Sequence, residues 1–139
     1  MNISHAAKRS GLSSETIRYY EKIELLSGVS RSANGYRDYS EDNVSLLSFI
    51  QHARSTGFSV NECRQLLQLY GDDQRQSGHV KHLVEAKLVA IKQQIESLLD
   101  MQNTLQELAA GCSGNEQPHC HILDVLSESN RPKLRNENE

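Results

Sequence analysis

The sequence predicts a mainly α-helical chain with an N-terminal winged helix-turn-helix, a long helix, and a C-terminal loop followed by a short helix. Three observations predict it. Two short helical stretches are separated by Gly11, and a basic hairpin signal at Asn34-Gly35 follows them. Residues 78–109 contain no Pro or Gly after Gly78 and carry an apolar residue at alternating steps of three and four. Gly111 then opens a stretch bounded by Cys112 and Cys120.

The elements follow in order. Residues 3–10 read as a helix stopped by Gly11, because glycine accepts the left-handed conformation that a helix end needs. Ser13 or Ser14 caps a second helix over about residues 14–23, with Glu15 in its first turn. Two short helices joined by a tight turn form either a helix-turn-helix or an ordinary αα-corner. Gly28 ends the helical run, and Asn34-Gly35 predicts a hairpin with a type I′ turn. Tyr36 and Tyr39 flank that turn, with Arg31 and Arg37 on either side, so the hairpin reads as a wing whose Arg and Tyr side chains can reach phosphates. Ser40 caps a helix over about 41–56, with Val44, Leu47, Phe49, Ile50 and Ala53 contributing a core-facing stripe. Ser59-Val60-Asn61-Glu62 is a capping box that opens a further helix, with Cys63 among its apolar positions. Gly71 closes the first segment, so residues 1–71 are expected to be the winged helix-turn-helix domain.

The long helix is expected over 77–109, on the order of 48 Å at ~1.5 Å per residue. Its seam is Leu88, Ile91, Ile95, Leu98, Gln102, Leu105 and Ala109. A small N-terminal domain cannot bury a seam of that length, so a partner helix is needed, most simply from a second copy of the chain. Gly111 is read as the stop of this helix. Residues 110–127 form the cysteine loop and an apolar helix over 121–127, and residues 128–139 read as a polar, disordered tail.

Composition sets the outer limits. In 139 residues, 37% are hydrophobic and 5% aromatic, which argues against one large core. No run of 18 apolar residues offers a membrane span, and the N-terminus has no basic-then-apolar leader, so the cytoplasm is the expected compartment. The net charge of −3 is unevenly spread. Residues 1–37 hold Lys8, Arg9, Arg18, Lys22, Arg31 and Arg37 against Glu15, Glu21 and Glu24. A basic segment on an acidic body still binds phosphate, because the local potential decides. No nucleophile–base pair or phosphate-binding loop stands out, so an enzyme is not expected.

Three cysteines without a leader argue against a disulfide framework. Cys63 reads as a packing residue. Cys112 and Cys120 in one loop are two soft donors, suited to Cu(I), Ag(I) or Au(I), whereas zinc sites take four ligands or three plus water. His119 and His121 flank Cys120 and are either further donors or a polar loop edge. An iron–sulfur cluster would need about four cysteines. A thiol-redox switch between Cys112 and Cys120 is chemically open.

Along nearly its whole length the chain resembles the MerR family of transcription regulators. The resemblance is carried by the Met-Asn-Ile-Ser start and Ser14 to Glu21, including Ile17-Arg18-Tyr19-Tyr20-Glu21. Arg31-Ser32, Asn34-Gly35-Tyr36-Arg37, Tyr39, Ala53-Arg54 and Gly57-Phe58-Ser59 carry it further. Ser77, Lys81 and the Cys112/Cys120 pair resemble the branch that senses monovalent metals for copper efflux. Position 15 departs from that branch, being Glu where its copper regulators carry a basic residue.

The resemblance implies a homodimer with an antiparallel coiled coil through Leu88, Ile91, Ile95, Leu98, Gln102, Leu105 and Ala109. It implies an activator that binds double-stranded promoter DNA and acts on RNA polymerase indirectly, by distorting the promoter when the effector binds. Arg18, Tyr20, Arg31, Tyr36, Arg37, Tyr39 and Arg54 are the expected DNA-binding residues. Cys112 and Cys120 are the expected metal ligands, binding one monovalent ion in near-linear geometry. Ser77 stands where divalent-sensing relatives carry a cysteine. It is expected to cap the long helix and to leave the ion two-coordinate. Lys81, with the nearby helix N-terminus, is expected to offset the net −1 of a bis-thiolate complex. The alternative is a divalent-metal or thiol-redox responsive regulator of the same fold.

Overall fold

A computed structural model describes residues 1–128, so the expected disordered tail lies, from residue 129 on, outside the described residues. The elements are α1 (Ile3–Ser10), α2 (Ser14–Lys22), β1 (Ser30–Arg31), β2 (Arg37–Asp38), α3 (Glu41–Ser55), α4 (Val60–Tyr70), α5 (Ser77–Ala110) and α6 (His121–Ser127).

Local chemistry explains most boundaries. Asn2, Ser13, Ser40 and Ser59 cap α1 to α4, each accepting a backbone N–H one turn on, and Ser40 and Ser59 close full capping boxes with Asn43 and Glu62. Gly11 ends α1 at φ +78°, where a Cβ would be strained. α1 packs on α2 and α3, and α3 packs on α4. The core under them is Ala6, Ile17, Tyr20, Leu25, Leu26, Tyr39, Val44, Leu47, Ile50 and Cys63. Cys63 is fully buried, and burial pushes its thiol pKa up, which makes it an inert packing residue.

The hairpin differs from its expected form. β1 and β2 pair antiparallel with Arg31 opposite Arg37. Ser32 N–H then bonds Tyr36 O at 2.7 Å and Gly35 N–H bonds Ser32 O at 2.9 Å, so the loop holds three residues. Only Gly35 takes positive φ, at +88°. The type I′ turn is therefore corrected to a turn followed by a left-handed glycine. The reason is that the Asn34 side chain is used locally, accepting from the Ser32 hydroxyl and the Tyr36 amide.

The chain forms two compact units, one over Met1–Lys87 and one from Leu88 onward. The first unit thus extends past the expected boundary at residue 71. Lys87 explains this: its Nζ lies 2.8 Å from Glu62 Oε1 on α4 and 5.8 Å from the Phe58 ring centroid. α5 begins at Ser77, with the Val80 amide bonding back to Gln76 O. Gln76 holds the capping place, so Ser77 is the first helical residue and not the cap. In the second unit Leu108 is buried, with Ile122 and Val125 of α6 half-buried. The remaining apolar face of α5 is open: Leu88, Ile95, Leu98 and Leu105 are each more than half exposed.

Candidate metal centre and nucleic-acid interface

α2 and the wing build the basic face. On α2, Ile17 and Tyr20 point into the core while Arg18, Tyr19 and Lys22 are exposed. Arg18, Lys22 and Arg37 line one shallow concavity with Glu21, Glu24 and Gly28. Tyr36 stands out from the wing at 73% exposure. Two expected DNA-binding residues are corrected. Tyr20 is 5% and Tyr39 1% exposed, so both rings are core. Tyr20 shares the helix face of Ile17 three residues before it, a spacing visible in the sequence. Tyr19 takes its place on the open face.

Glu21 organises this surface. Its carboxylate accepts from Arg37 Nε at 2.8 Å and from the Tyr39 hydroxyl at 2.6 Å, fastening the wing to α2. Burial first, then the Glu21 carboxylate, push the Tyr39 hydroxyl pKa well above its ordinary value, so it stays a neutral donor. Arg31 Nη1 donates to Gly35 O at 2.7 Å and Arg54 Nη1 to Phe58 O at 2.9 Å, each bracing a turn while remaining exposed. Arg64 was not singled out by its sequence. It donates to the carbonyls of Ile23 (3.0 Å) and Glu24 (3.2 Å), holding the α2 C-terminus where Glu24 takes φ +60°. Nothing in sequence signals a bond spanning forty residues.

The second unit carries the cysteines. Cys112 follows α5 and Cys120 precedes α6, and their sulfurs lie 3.8 Å apart, both half-buried. That separation is far beyond a disulfide bond of ~2.05 Å. Two metal–thiolate bonds of about 2.3 Å would span it at a bent angle, and in line would span ~4.6 Å. Cys120 caps α6 without a side-chain hydrogen bond of standard geometry. The Leu123 amide ahead of it nevertheless lowers its thiol pKa, with smaller help from Cys112 and the Ile122 amide. Both neighbouring histidines are exposed. His119 Nδ1 lies 3.3 Å from Asp124 Oδ2, and the His121 ring lies against Gly111. Among the described residues no group of three or more His, Cys, Asp or Glu converges as a metal site. Two soft donors fit a soft ion. Ser77 and Lys81 are exposed on α5 and belong to the first compact unit, whereas the cysteines belong to the second.

Comparison with known proteins places this arrangement. The family model for the MerR helix-turn-helix regulatory protein matches residues 1–70, and that for the MerR DNA-binding region matches residues 44–108. The regulator HmrR of Rhizobium leguminosarum is 48% identical over 128 residues, covering 92% of this chain and 98% of that protein. The regulator CueR of Escherichia coli is 41% identical over 127 residues, covering 91% of this chain and 94% of its own. A transcription regulator of Ralstonia metallidurans, solved in complex with lead(II), superposes with a TM-score of 0.81 at 29% identity, covering 91% of this chain and 99% of that one. These relatives are transcription regulators and not enzymes, and among the described residues no helix is long and apolar enough to cross a membrane. The chain belongs to the MerR family of helix-turn-helix transcription regulators.

Proposed function

We propose that this regulator binds promoter DNA as a homodimer and activates transcription when Cys112 and Cys120 take up Cu(I), with Ag(I) and Au(I) as equivalents. The observation that carries the reading is two half-buried thiols brought together in one loop with, among the described residues, no third His, Cys, Asp or Glu converging on them. Two soft thiolates satisfy a soft monovalent ion in a two-coordinate complex of net −1, whereas a dication prefers further donors. A protein of Haemophilus influenzae described as a probable heavy metal-dependent transcriptional regulator is 43% identical over 127 residues, covering 91% of this chain and 99% of that one, which supports metal response. Arg18, Tyr19, Lys22 and Tyr36 form the DNA face, with Arg31, Arg37 and Arg54 at its edges. The open seam of α5 takes the second copy. Ser77 and Lys81 act around the metal site, Ser77 by withholding a third thiolate and Lys81 by its charge. RNA polymerase is reached through the distorted promoter, in the cytoplasm.

A divalent reading has its own support. The 3.8 Å sulfur separation suits a bent two-bond angle. The lead(II) complex described above and a MerR structure from Bacillus megaterium with mercury(II), at TM-score 0.68 and 29% identity, carry divalent ions. Transcription from the cognate promoter, with Cu(I), Ag(I), Hg(II) or Pb(II) under reducing conditions, separates the two. Activation by Cu(I) and Ag(I), lost in Cys112→Ser and in Cys120→Ser with DNA binding retained, supports the monovalent reading. Activation by Hg(II) or Pb(II) alone, or by Cu(I) in Cys112→Ser, overturns it.

A further inference from the structure

Gly111 follows the last residue of α5, as its reading as the helix stop expects, yet it is not among the positive-φ glycines, which are Gly11, Gly28, Gly35, Gly57 and Gly114. Its amide still bonds Glu107 O at 3.1 Å in helical fashion. What distinguishes this glycine is its neighbour, the His121 imidazole. A Cβ built on it would fall 2.7 Å from Nε2 and 3.2 Å from Cγ of the His121 imidazole, and closer still to Cδ2. Real Cβ atoms essentially never approach within 3.0 Å of another heavy atom, so a side chain at 111 requires the exposed His121 ring to shift. Gly111 directly precedes Cys112 and His121 directly follows Cys120. The contact therefore closes the cysteine loop at its neck.

We infer that His121 seated on Gly111 is a clasp that sets the distance between the two thiols, and so the affinity of the pair for a soft ion. His121 is thus a positioning residue and not a ligand: its ring lies against Gly111, and among the described residues no third donor converges with the two thiols. This rests on the two-thiolate reading proposed above and adds the device that holds the thiols together. Residues that orient metal ligands without touching the metal typically matter by about 10–100-fold in affinity.

The test is a double-mutant cycle on the full chain with two probes, Ag(I) and phenylarsine oxide. The second probe forms two As–S bonds to a thiol pair. Its oxygen leaves as water with both thiol protons, and no redox change occurs. Gly111→Ala is expected to weaken both probes about 10–100-fold, with helix content unchanged by circular dichroism. In Gly111→Ala/His121→Ala the methyl has nothing to displace, so affinity returns to that of His121→Ala. X-ray absorption of the Ag(I) forms of wild type and His121→Ala is expected to show the same sulfur-only shell. Losses that simply add, no loss in Gly111→Ala, or a nitrogen ligand that disappears in His121→Ala would each overturn the clasp. A wild-type protein that bridges neither probe through both thiols would instead sink the two-thiolate reading beneath it.

Discussion

Arg37 has a partner inside the protein before it meets any DNA. Its guanidinium pairs with Glu21, which also holds Tyr39, and the Glu21 side chain is only 13% exposed. Glu21 is therefore the joint between recognition helix and wing, and it offsets one positive charge of the basic face. Glu21→Gln keeps an acceptor for Tyr39 and removes the charge. The expected outcome is weaker specific binding, as the wing loosens. The salt dependence should steepen by about one phosphate equivalent, as Arg37 is released to the backbone. Titrating operator and random duplexes across salt concentrations checks this, and an unchanged slope counts against it. Among the described residues Arg18 has no such hydrogen-bonded carboxylate, and Arg18→Ala should cost about 1–3 kcal/mol of operator binding if it reads a base edge. An operator titration at fixed salt that shows no loss would remove Arg18 from the interface. The sequence makes basic residue types legible, and helical period separates Tyr19 from Tyr20. It hides the Glu21–Arg37 pair because a sixteen-residue separation through a turn carries no periodic signal.

At the scale of elements, caps were the most readable feature. A serine followed three residues on by Glu62 or Asn43 leaves the backbone donors a specific partner, and the structure uses both. The wing turn was less readable, since an asparagine that spends its side chain on Ser32 and Tyr36 no longer needs the left-handed conformation. The junction of α4 and α5 was not readable at all. Glu62 serves twice there, capping α4 through the Ser59 amide at 2.7 Å and pairing with Lys87. Lys87 first, then the Ser59 amide, hold its carboxyl below the usual carboxylate range. A carboxyl whose folded pKa is depressed contributes stability above its unfolded pKa, and loses it as pH falls through the folded value. Wild type should therefore lose stability on acidification below about pH 5 more steeply than Glu62→Gln, which keeps an acceptor for the cap. Thermal unfolding from pH 7 to pH 3.5 reads this directly, and parallel curves for the two proteins would show that the pair contributes nothing.

As one chain the molecule leaves an apolar seam of α5 uncovered. Leu98 is 62% and Leu105 64% exposed, and with Met101, Gln102, Gln106 and Ala109 they line an apolar groove along α5. Isolated exposed leucines are ordinary, but a continuous groove on a helix of 34 residues is the mark of an interface. Covering one such leucine is worth about 1.5–3 kcal/mol, so a few of them in register can offset the entropy of association. This seam was legible in the sequence because its three-and-four spacing is a property of the helix alone. Its partner is not, since a seam states what must be covered and not by what. The proposed second copy would meet the need with the same residues on both sides, and would double the basic faces offered to one duplex. Leu98→Glu should therefore yield a monomer or an aggregate, with operator binding lost although α1 to α4 remain folded. Sedimentation and operator titration of the same sample decide the point: a folded monomer that still binds the operator with wild-type affinity would show that the seam serves some other contact.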